Sequence, residues 1–377
     1  LTLYKIKKAF QVLYLVFNFF CKKKITLFCN EHTNDIFQNL QLVYQSTSRL
    51  HPCLFISINR RSLLSAVKFA WVLSRAKTVV IDASNSFLSS ITLSPHTTVV
   101  QLWHGGGAFK GVGFNAPPVL TESEIKRIHR LHGYYDYAIA TSSSPFILDT
   151  YAKSFNLSQD RVLPLGSPRT DILLKDKGQR RKLLREKYKI SENSIVILYA
   201  PTFRTNLKRE FPVFLDKKEL VRHLPSNYTL FYRLHPSSIS EGISQPTQNN
   251  WTEEEYLTCI LAADILITDY SSIIFDFSVT QKPIFFFIPK ENYNRKLTTT
   301  PEELLPDHVF RNEKKLAQTI LTCEKHSSAS KQLYQKHMGA CDGFSTLKIS
   351  HFLDFLITAN NNLNKTLCNG TNYNNRK

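Results

Sequence analysis

Long apolar runs are the first thing this chain lacks. No window reaches the roughly 18 uninterrupted apolar residues that a membrane-crossing helix needs. The nearest is AFQVLYLVFNFF, Ala9 to Phe20, framed by Lys5, Lys7 and Lys8 before it and Lys22, Lys23 and Lys24 after it. No small-residue cleavage site follows, and the next residues read as a strand, so a secretory signal is not expected. Two readings stay open for this segment: the first helix of the fold, or an amphipathic surface helix lying on anionic lipid. Paired cysteines are missing too. Cys21, Cys29, Cys53, Cys259, Cys323, Cys341 and Cys368 are scattered and odd in number. Without a CxxC pair or zinc-like Cys/His spacing, neither a disulfide framework nor a metal knuckle is indicated. The pattern fits free thiols acting as small hydrophobes in a reducing cytoplasm. Acidic residues are scarce: 30 against 48 basic ones, a net charge of +18. No acidic cluster stands out as a metal cage, so no metal ligand or cofactor is assigned and metal dependence stays open. The charge implies an anionic partner, whether nucleic acid, anionic membrane or phosphorylated substrate.

What is present suits two domains. A length of 377 residues with 42% apolar and 12% aromatic content exceeds one ordinary core. Short apolar runs predict strands at 24–29, 53–58, 78–82, 97–103, 137–141 and 161–166, then at 194–200, 228–235, 264–269 and 283–288. Helical patterns lie between them, including Arg61–Ser74, Glu122–His132, Gln179–Tyr188, Glu253–Ala263 and Ile273–Val279. Continuous apolar strands alternating with helices indicate parallel sheets buried on both faces. The expected architecture is α/β: two doubly wound parallel-sheet domains facing a central cleft. Residues 1–168 form the first domain and 169–330 the second; helices follow at 331–357, and an Asn-rich tail at 358–377 is expected to be disordered.

In such sheets ligands bind beyond the carboxyl ends of the strands, and chemistry-bearing residues cluster there. ADILITDYSSIIFDF places Ser271 and Ser272 at a helix start, where anions are attracted, with Asp276 one turn in. Taken alone, that turn is equally an ordinary N-cap. YTLFYRLHP ends on Arg233 and His235, ILYAPTFR on Thr202 and Arg204, and LGSPRTD on Arg169 and Asp171. Each could be a plain strand end, but together they indicate a phosphate or nucleotide site. In the first half, VVQLWHGGGAFKGVGF puts His104 directly after a strand. The glycines fit neither GxGxxG nor GxxxxGK[ST]. Gly105, Gly106 and Gly107 permit close backbone approach, Lys110 adds charge, and a histidine held at the bend suits a general base; a turn with a hydrogen-bonded histidine is the plain alternative.

QLWHGGGAFK, LGSPRTD, ILYAPTFR, YRLHP and ADILITDYSSIIFDF with the downstream KPIFFF resemble, in order, the signatures of the CDP-glycerol glycerophosphotransferases. That family comprises the teichoic-acid primases and polymerases with CDP-ribitol and capsule relatives. The resemblance covers roughly 75–290. It implies a GT-B fold, a CDP-glycerol or CDP-ribitol donor, and CMP as leaving group. It also implies an undecaprenyl-diphosphate-linked acceptor and a peripheral position at the cytoplasmic face of a bacterial membrane. By the same resemblance His104 is the base and His235 binds donor phosphate and stabilises departing CMP. Arg169, Thr202, Arg204, Arg233, Ser271, Ser272 and Asp276 contact the donor, and the HGGGAFK loop faces the acceptor. Many members carry HGTPLK there. The long N-terminal extension of the large polymerases is missing, so a primase-like or compact capsule enzyme is expected. The rival readings are a GT-B nucleotide-sugar glycosyltransferase and, remotely, a basic nucleic-acid-binding protein. The second lacks an aromatic stacking platform, recognition helix or zinc module, so no nucleic-acid partner is expected.

Overall fold

A computed structural model describes residues 2–31, 38–116, 121–202, 215–235, 248–288 and 296–370, with side chains described as far as Thr358. The first sheet has strand order β2-β1-β3-β4-β5-β6, all parallel. Its strands are β1 (Ile25–Asn30), β2 (Cys53–Ser57), β3 (Ala76–Ile81), β4 (Thr98–Gln101), β5 (Tyr137–Ile139) and β6 (Val162–Leu163). The second sheet, also parallel, runs β11-β10-β9-β7-β8. It contains β7 (Ile195–Ala200), β8 (Tyr228–Tyr232), β9 (Ile265–Thr268), β10 (Ile284–Phe287) and β11 (Val309–Phe310). All four residues of β9 and of β10 are buried, as continuous apolar strands covered on both faces should be. In each sheet the order reverses beside the first strand of the series, which opens a crevice at the carboxyl ends.

The helices of the first half are α1 (Leu3–Phe20), α2 (Gln38–Thr47), α3 (Leu63–Ser74), α4 (Glu122–His132) and α5 (Pro145–Phe155). Then come α6 (Thr170–Lys175), α7 (Gln179–Lys187), α8 (Lys217–Arg222), α9 (Tyr256–Ala262) and α10 (Ile273–Ser278). The chain finishes with α11 (Pro301–Leu304), α12 (Glu313–Thr322), α13 (Ser328–Met338) and α14 (Ser345–Gly370). Their starts obey local rules: Ser62 caps α3, Asp216 caps α8, and Thr121 with Glu124 closes a capping box on α4. Helix α1 buries Ile6, Phe10 and Tyr14; Phe10 lies 5.4 Å from Phe69 and 4.9 Å from Phe87 between ring centroids. Fully burying one such ring contributes roughly 1.5–3 kcal/mol, so α1 is part of the first core.

Several strands stop earlier than their apolar runs. Pro164 has no N–H to continue β6, β4 ends at Gln101 because Trp103 takes φ +57°, and β8 ends at Tyr232. Strand β11, only two residues long, was not legible in the sequence. Helix α14 extends through Gly370 into the Asn-rich stretch that composition marks for disorder. Once a packed segment nucleates a helix, each added residue gains a hydrogen bond at small cost.

The last two helices cross between the halves. Helix α13 packs on α10. Helix α14 returns to α2 and sends Ile349, Leu353 and Leu356 into a core with Phe28, Val80 and Val100 of the first sheet. The Asp171 carboxylate accepts from Ser345 and Thr346 N–H at 3.0 and 2.8 Å. This strand-end acid therefore caps α14. At the crossing, a Cβ on Gly106 would lie 2.8 Å from Met338 Sδ, and one on Gly107 (φ +56°) would lie 2.5 Å from the Phe275 ring. Gly107 N–H donates to Thr141 Oγ1 (3.0 Å), which donates to the His337 carbonyl (2.7 Å). The His337 ring stacks on Phe275 at 5.0 Å, and its Nδ1 has no hydrogen-bond partner among the described residues.

Gly107→Ala should combine left-handed strain with overpacking, at about 1–3 kcal/mol for the overpacking alone. Gly178→Ala, also at positive φ (+87°) but with nothing within 4 Å, should show only the backbone part. Thermal melts of the two variants separate these costs. Burial, then the Lys336 charge, pushes the His337 pKa down to about 4, below the ordinary 6.5. The unfolded chain therefore takes up that proton first, and stability falls as pH drops from about 6.5 towards 4. His337→Leu should flatten the decline in melting temperature between pH 7 and 5.

Candidate active site

A cleft of about 850 Å³ opens between the two sheets, within the range of a nucleotide-sized ligand site. One wall carries Trp103 to Gly107, Phe109 to Gly113 and the inner face of α4; the other carries Arg169, Thr202, Arg233, His235, Tyr256, Ser271 and Ser272. Residues distant in sequence are thus brought together because both sheets turn their carboxyl ends toward the same space.

His104 sits at the bend after β4. Its Nδ1 lies 2.9 Å from the Asp82 carbonyl. A carbonyl only accepts, so Nδ1 carries the hydrogen and Nε2 is the basic nitrogen. The bend is held under strain. Trp103 adopts φ +57°, costing about 1–3 kcal/mol for a non-glycine residue. Its N–H donates to Gln101 Oε1 at 2.9 Å, and its carbonyl accepts from Asn39 Nδ2 at 3.0 Å. Asn39 Oδ1 in turn accepts from Arg169 N–H (2.9 Å) and Ser167 Oγ (3.2 Å). One buried amide therefore joins the histidine loop to the LGSPRTD loop. Burial pushes the Asp82 carboxyl up to about 8, against the opposing pull of the Leu40 and Asp82 N–H groups and Arg169.

Opposite, Thr202 follows β7 and its N–H donates to Asp269 Oδ1 at 2.7 Å. Ser271 accepts from Ile273 N–H at 3.4 Å, whereas the Ser272 side chain makes no capping bond. Ordinary N-capping is therefore weak here, and α10 has only six residues. His235 opens onto the cleft. Desolvation there, then Arg233 and Lys110, pushes its pKa down to about 4. At neutral pH it is therefore uncharged. Arg204 lies outside the described residues.

Some of the expected residues have surroundings that the sequence did not show. Asp276 does not reach the cleft: it is fully buried, bound by Arg169 Nη2 at 2.6 Å and Nε at 3.3 Å. It also accepts from the Tyr256 hydroxyl at 2.7 Å. A side chain one turn into α10 points to the helix-packing side, where a buried carboxylate must find a cation. The glycines beside His104 line the cleft with backbone, but the close approach permitted at Gly106 and Gly107 is by Met338 and Phe275. Lys110 does line the cleft; its backbone bridges Leu297, and Gly111 N–H donates to the Lys296 carbonyl at 2.9 Å.

The sequence reading missed Asn39, Tyr256, Arg127 and His132. The last two come from α4. His132, pushed down to about 4 by burial and Arg127, sets Nδ1 3.1 Å from the Tyr135 hydroxyl. The basic and histidine-rich last turn of α4 was a usable signal for them. Asn39 and Tyr256 belong to no motif.

Comparison with known proteins bears on the fold and the family. The family model for CDP-glycerol:poly(glycerophosphate) glycerophosphotransferases matches residues 12–350. A teichoic acid glycerol-phosphate primase of Bacillus subtilis (strain 168) is 26% identical over 310 residues, covering 80% of this chain and 79% of the relative. A teichoic acid ribitol-phosphate primase of Bacillus spizizenii (strain ATCC 23059 / NRRL B-14472 / W23) is 28% identical, covering 76% and 77%. The solved structure of the wall teichoic acid polymerase TagF superposes with a TM-score of 0.74 at 19% identity, covering 93% of this chain and 94% of that one. A UDP-GlcNAc 2-epimerase from Neisseria meningitidis shares the fold more distantly, with a TM-score of 0.55 at 14% identity and coverage of 88% and 99%. The fold is GT-B-like, and the chain belongs to the CDP-glycerol:poly(glycerophosphate) glycerophosphotransferase family.

Proposed function

We propose that this protein transfers a polyol phosphate from a CDP-polyol to a hydroxyl of a membrane-linked glycan or polyol-phosphate acceptor, releasing CMP, in the synthesis of teichoic acid or a capsule-type polymer. The observation that carries it is His104, with its tautomer set by the Asp82 carbonyl, facing Thr202, Arg233, Ser271 and Ser272 across one cleft. Glycerol phosphate is the first choice of group, and CDP-ribitol is the alternative donor, since primases for both polyols are among the relatives.

The acceptor oxygen gives its proton to His104 Nε2 and attacks the β-phosphorus in line. A new P–O bond forms as the bond to the α-phosphate oxygen breaks, and CMP carries away the electron pair. Phosphoryl transfer is mainly positioning and charge stabilisation. Arg233, the serine hydroxyls, Thr202 and a His235 hydrogen bond serve that end, with Arg169 behind them. Gly105 and Lys110 form part of the acceptor-side wall. A glycosyltransferase on the same fold would release a nucleoside diphosphate instead of CMP.

The acceptor's lipid end gives α1 a second role. No helix among the described residues is long and apolar enough to cross a membrane. Yet the face of α1 opposite its buried stripe exposes Val12, Leu15, Phe19 (84%) and Phe20 (78%), with Lys22 and Lys24 just beyond. Leu64 and Trp71 of α3 are exposed as well, and Trp71 packs edge-on against Phe17. One helix thus serves as core element and as a peripheral contact with the anionic cytoplasmic leaflet.

His104→Ala should lower CMP release by at least about a hundredfold while the melting temperature and CDP affinity stay near wild type; normal turnover would remove the base from His104. Replacing Phe19 and Phe20 by serine should weaken co-sedimentation with phosphatidylglycerol vesicles and leave turnover on a soluble acceptor analogue unchanged. Equal sedimentation of variant and wild type would free α1 of the membrane role.

A further inference from the structure

The two arginines on the donor wall are electrostatically unlike. Arg169 is buried and its guanidinium grips the fully buried Asp276 through two contacts, so its charge is cancelled within the protein. Arg233 has no carboxylate partner among the described residues. Among the described residues its Nη2 reaches the Glu254 carbonyl at 3.5 Å, the Cys259 thiol lies beside it, and its buried Nε has no hydrogen-bond partner. The nearby acids are engaged elsewhere: Glu254 with Lys187 and Tyr188, Glu255 with Arg180 and Thr258. Cys259, beside Arg233, stays a neutral thiol because burial pushes its pKa up to about 12. A partly buried guanidinium without a counter-ion is costly unless a ligand supplies one.

Tyr256, at the start of α9, touches Arg169, Arg233 and Asp276. Its ring centroid lies 5.5 Å from the Arg169 guanidinium and 5.1 Å from that of Arg233. Its hydroxyl donates to Asp276 Oδ2 at 2.7 Å. Burial, then the Asp276 charge, holds the phenol well above its ordinary pKa, so it remains a neutral donor. Aromatic faces attract guanidinium groups and fix their planes. The ring, anchored at its hydroxyl end by the ion pair, is a shared platform for both cations.

We propose that Tyr256 is a positioning residue that presents Arg233 as the uncompensated cation for the diphosphate of the donor, while Arg169 and Asp276 form its neutral buried support. The assignment rests on the CDP-polyol reading. It separates two arginines that strand-end position alone treats alike, and it turns Asp276 from a ligand contact into part of the scaffold.

The test uses the full chain, CDP as the binding probe, and KM and kcat with CDP-glycerol. Tyr256→Leu should weaken CDP binding about tenfold and raise KM by a similar factor, with kcat changed less than threefold. Tyr256→Phe keeps the ring and should recover most of the affinity. Arg233→Gln should weaken CDP binding by more than tenfold and flatten its dependence on salt. Asp276→Asn should lower the melting temperature while the folded protein keeps CDP affinity within about threefold, which checks the assignment should Tyr256→Leu fail to fold. Wild-type CDP affinity in Arg233→Gln or in folded Tyr256→Leu would overturn the proposal, as would an affinity loss in Asp276→Asn matching that of Arg233→Gln. A wild-type protein that binds CDP but releases no CMP from any CDP-polyol would instead overturn the functional reading and leave the arginine assignment to the binding arms.

Discussion

The packing of Phe275 and Met338 against the two glycines beyond His104 is the contact on which the site depends. It is made by helices α10 and α13, yet it seats a loop that grows from the first sheet. The Gly107–Thr141–His337 hydrogen-bond chain fixes the same junction from the other side. A side chain at either glycine would push the loop off this surface, because a close-packed interface cannot absorb an extra carbon without moving. The His104 loop and the facing wall of the cleft are thereby held in register. Helix α14, capped by Asp171 and buried in the first core, closes the second crossing.

The strand-end rule made much of the site legible. His104, Thr202, Arg233, His235, Ser271 and Ser272 each stand at or just beyond the end of an apolar run, and all line one cleft. That rule reads position along the chain and says nothing about direction. Asp276 shows the limit: its place one turn into a helix is visible, but only packing reveals that it faces Arg169 and away from the cleft. Gly106 and Gly107 show it too, since a run of glycines announces a close approach without naming what approaches. Asn39 and Tyr256 were illegible because a lone amide or phenol has no spacing pattern; their importance comes from partners 64 to 130 positions away for Asn39 and 20 for the Tyr256–Asp276 bond.

Charge is arranged unevenly across the cleft. On the side proposed for the donor, Arg169 is paired with the buried Asp276 and His235 has its pKa lowered, which leaves the partly buried Arg233 without a carboxylate partner among the described residues. On the side proposed for the acceptor, the tautomer of His104 is set by the Asp82 backbone carbonyl. Such a division suits the proposed reaction, in which one side holds a diphosphate and the other removes a single proton. The fold alone does not choose this chemistry, so the proposal rests on the side chains at the strand ends.

The most direct measurement is phosphorus NMR of the protein incubated with CDP-glycerol, and separately with CDP-ribitol, together with a lipid-linked or soluble acceptor. The account predicts loss of the diphosphate signals with matched growth of CMP and one new phosphodiester per turnover. Release of a nucleoside diphosphate with a sugar donor, and no phosphodiester from either CDP-polyol, would contradict it.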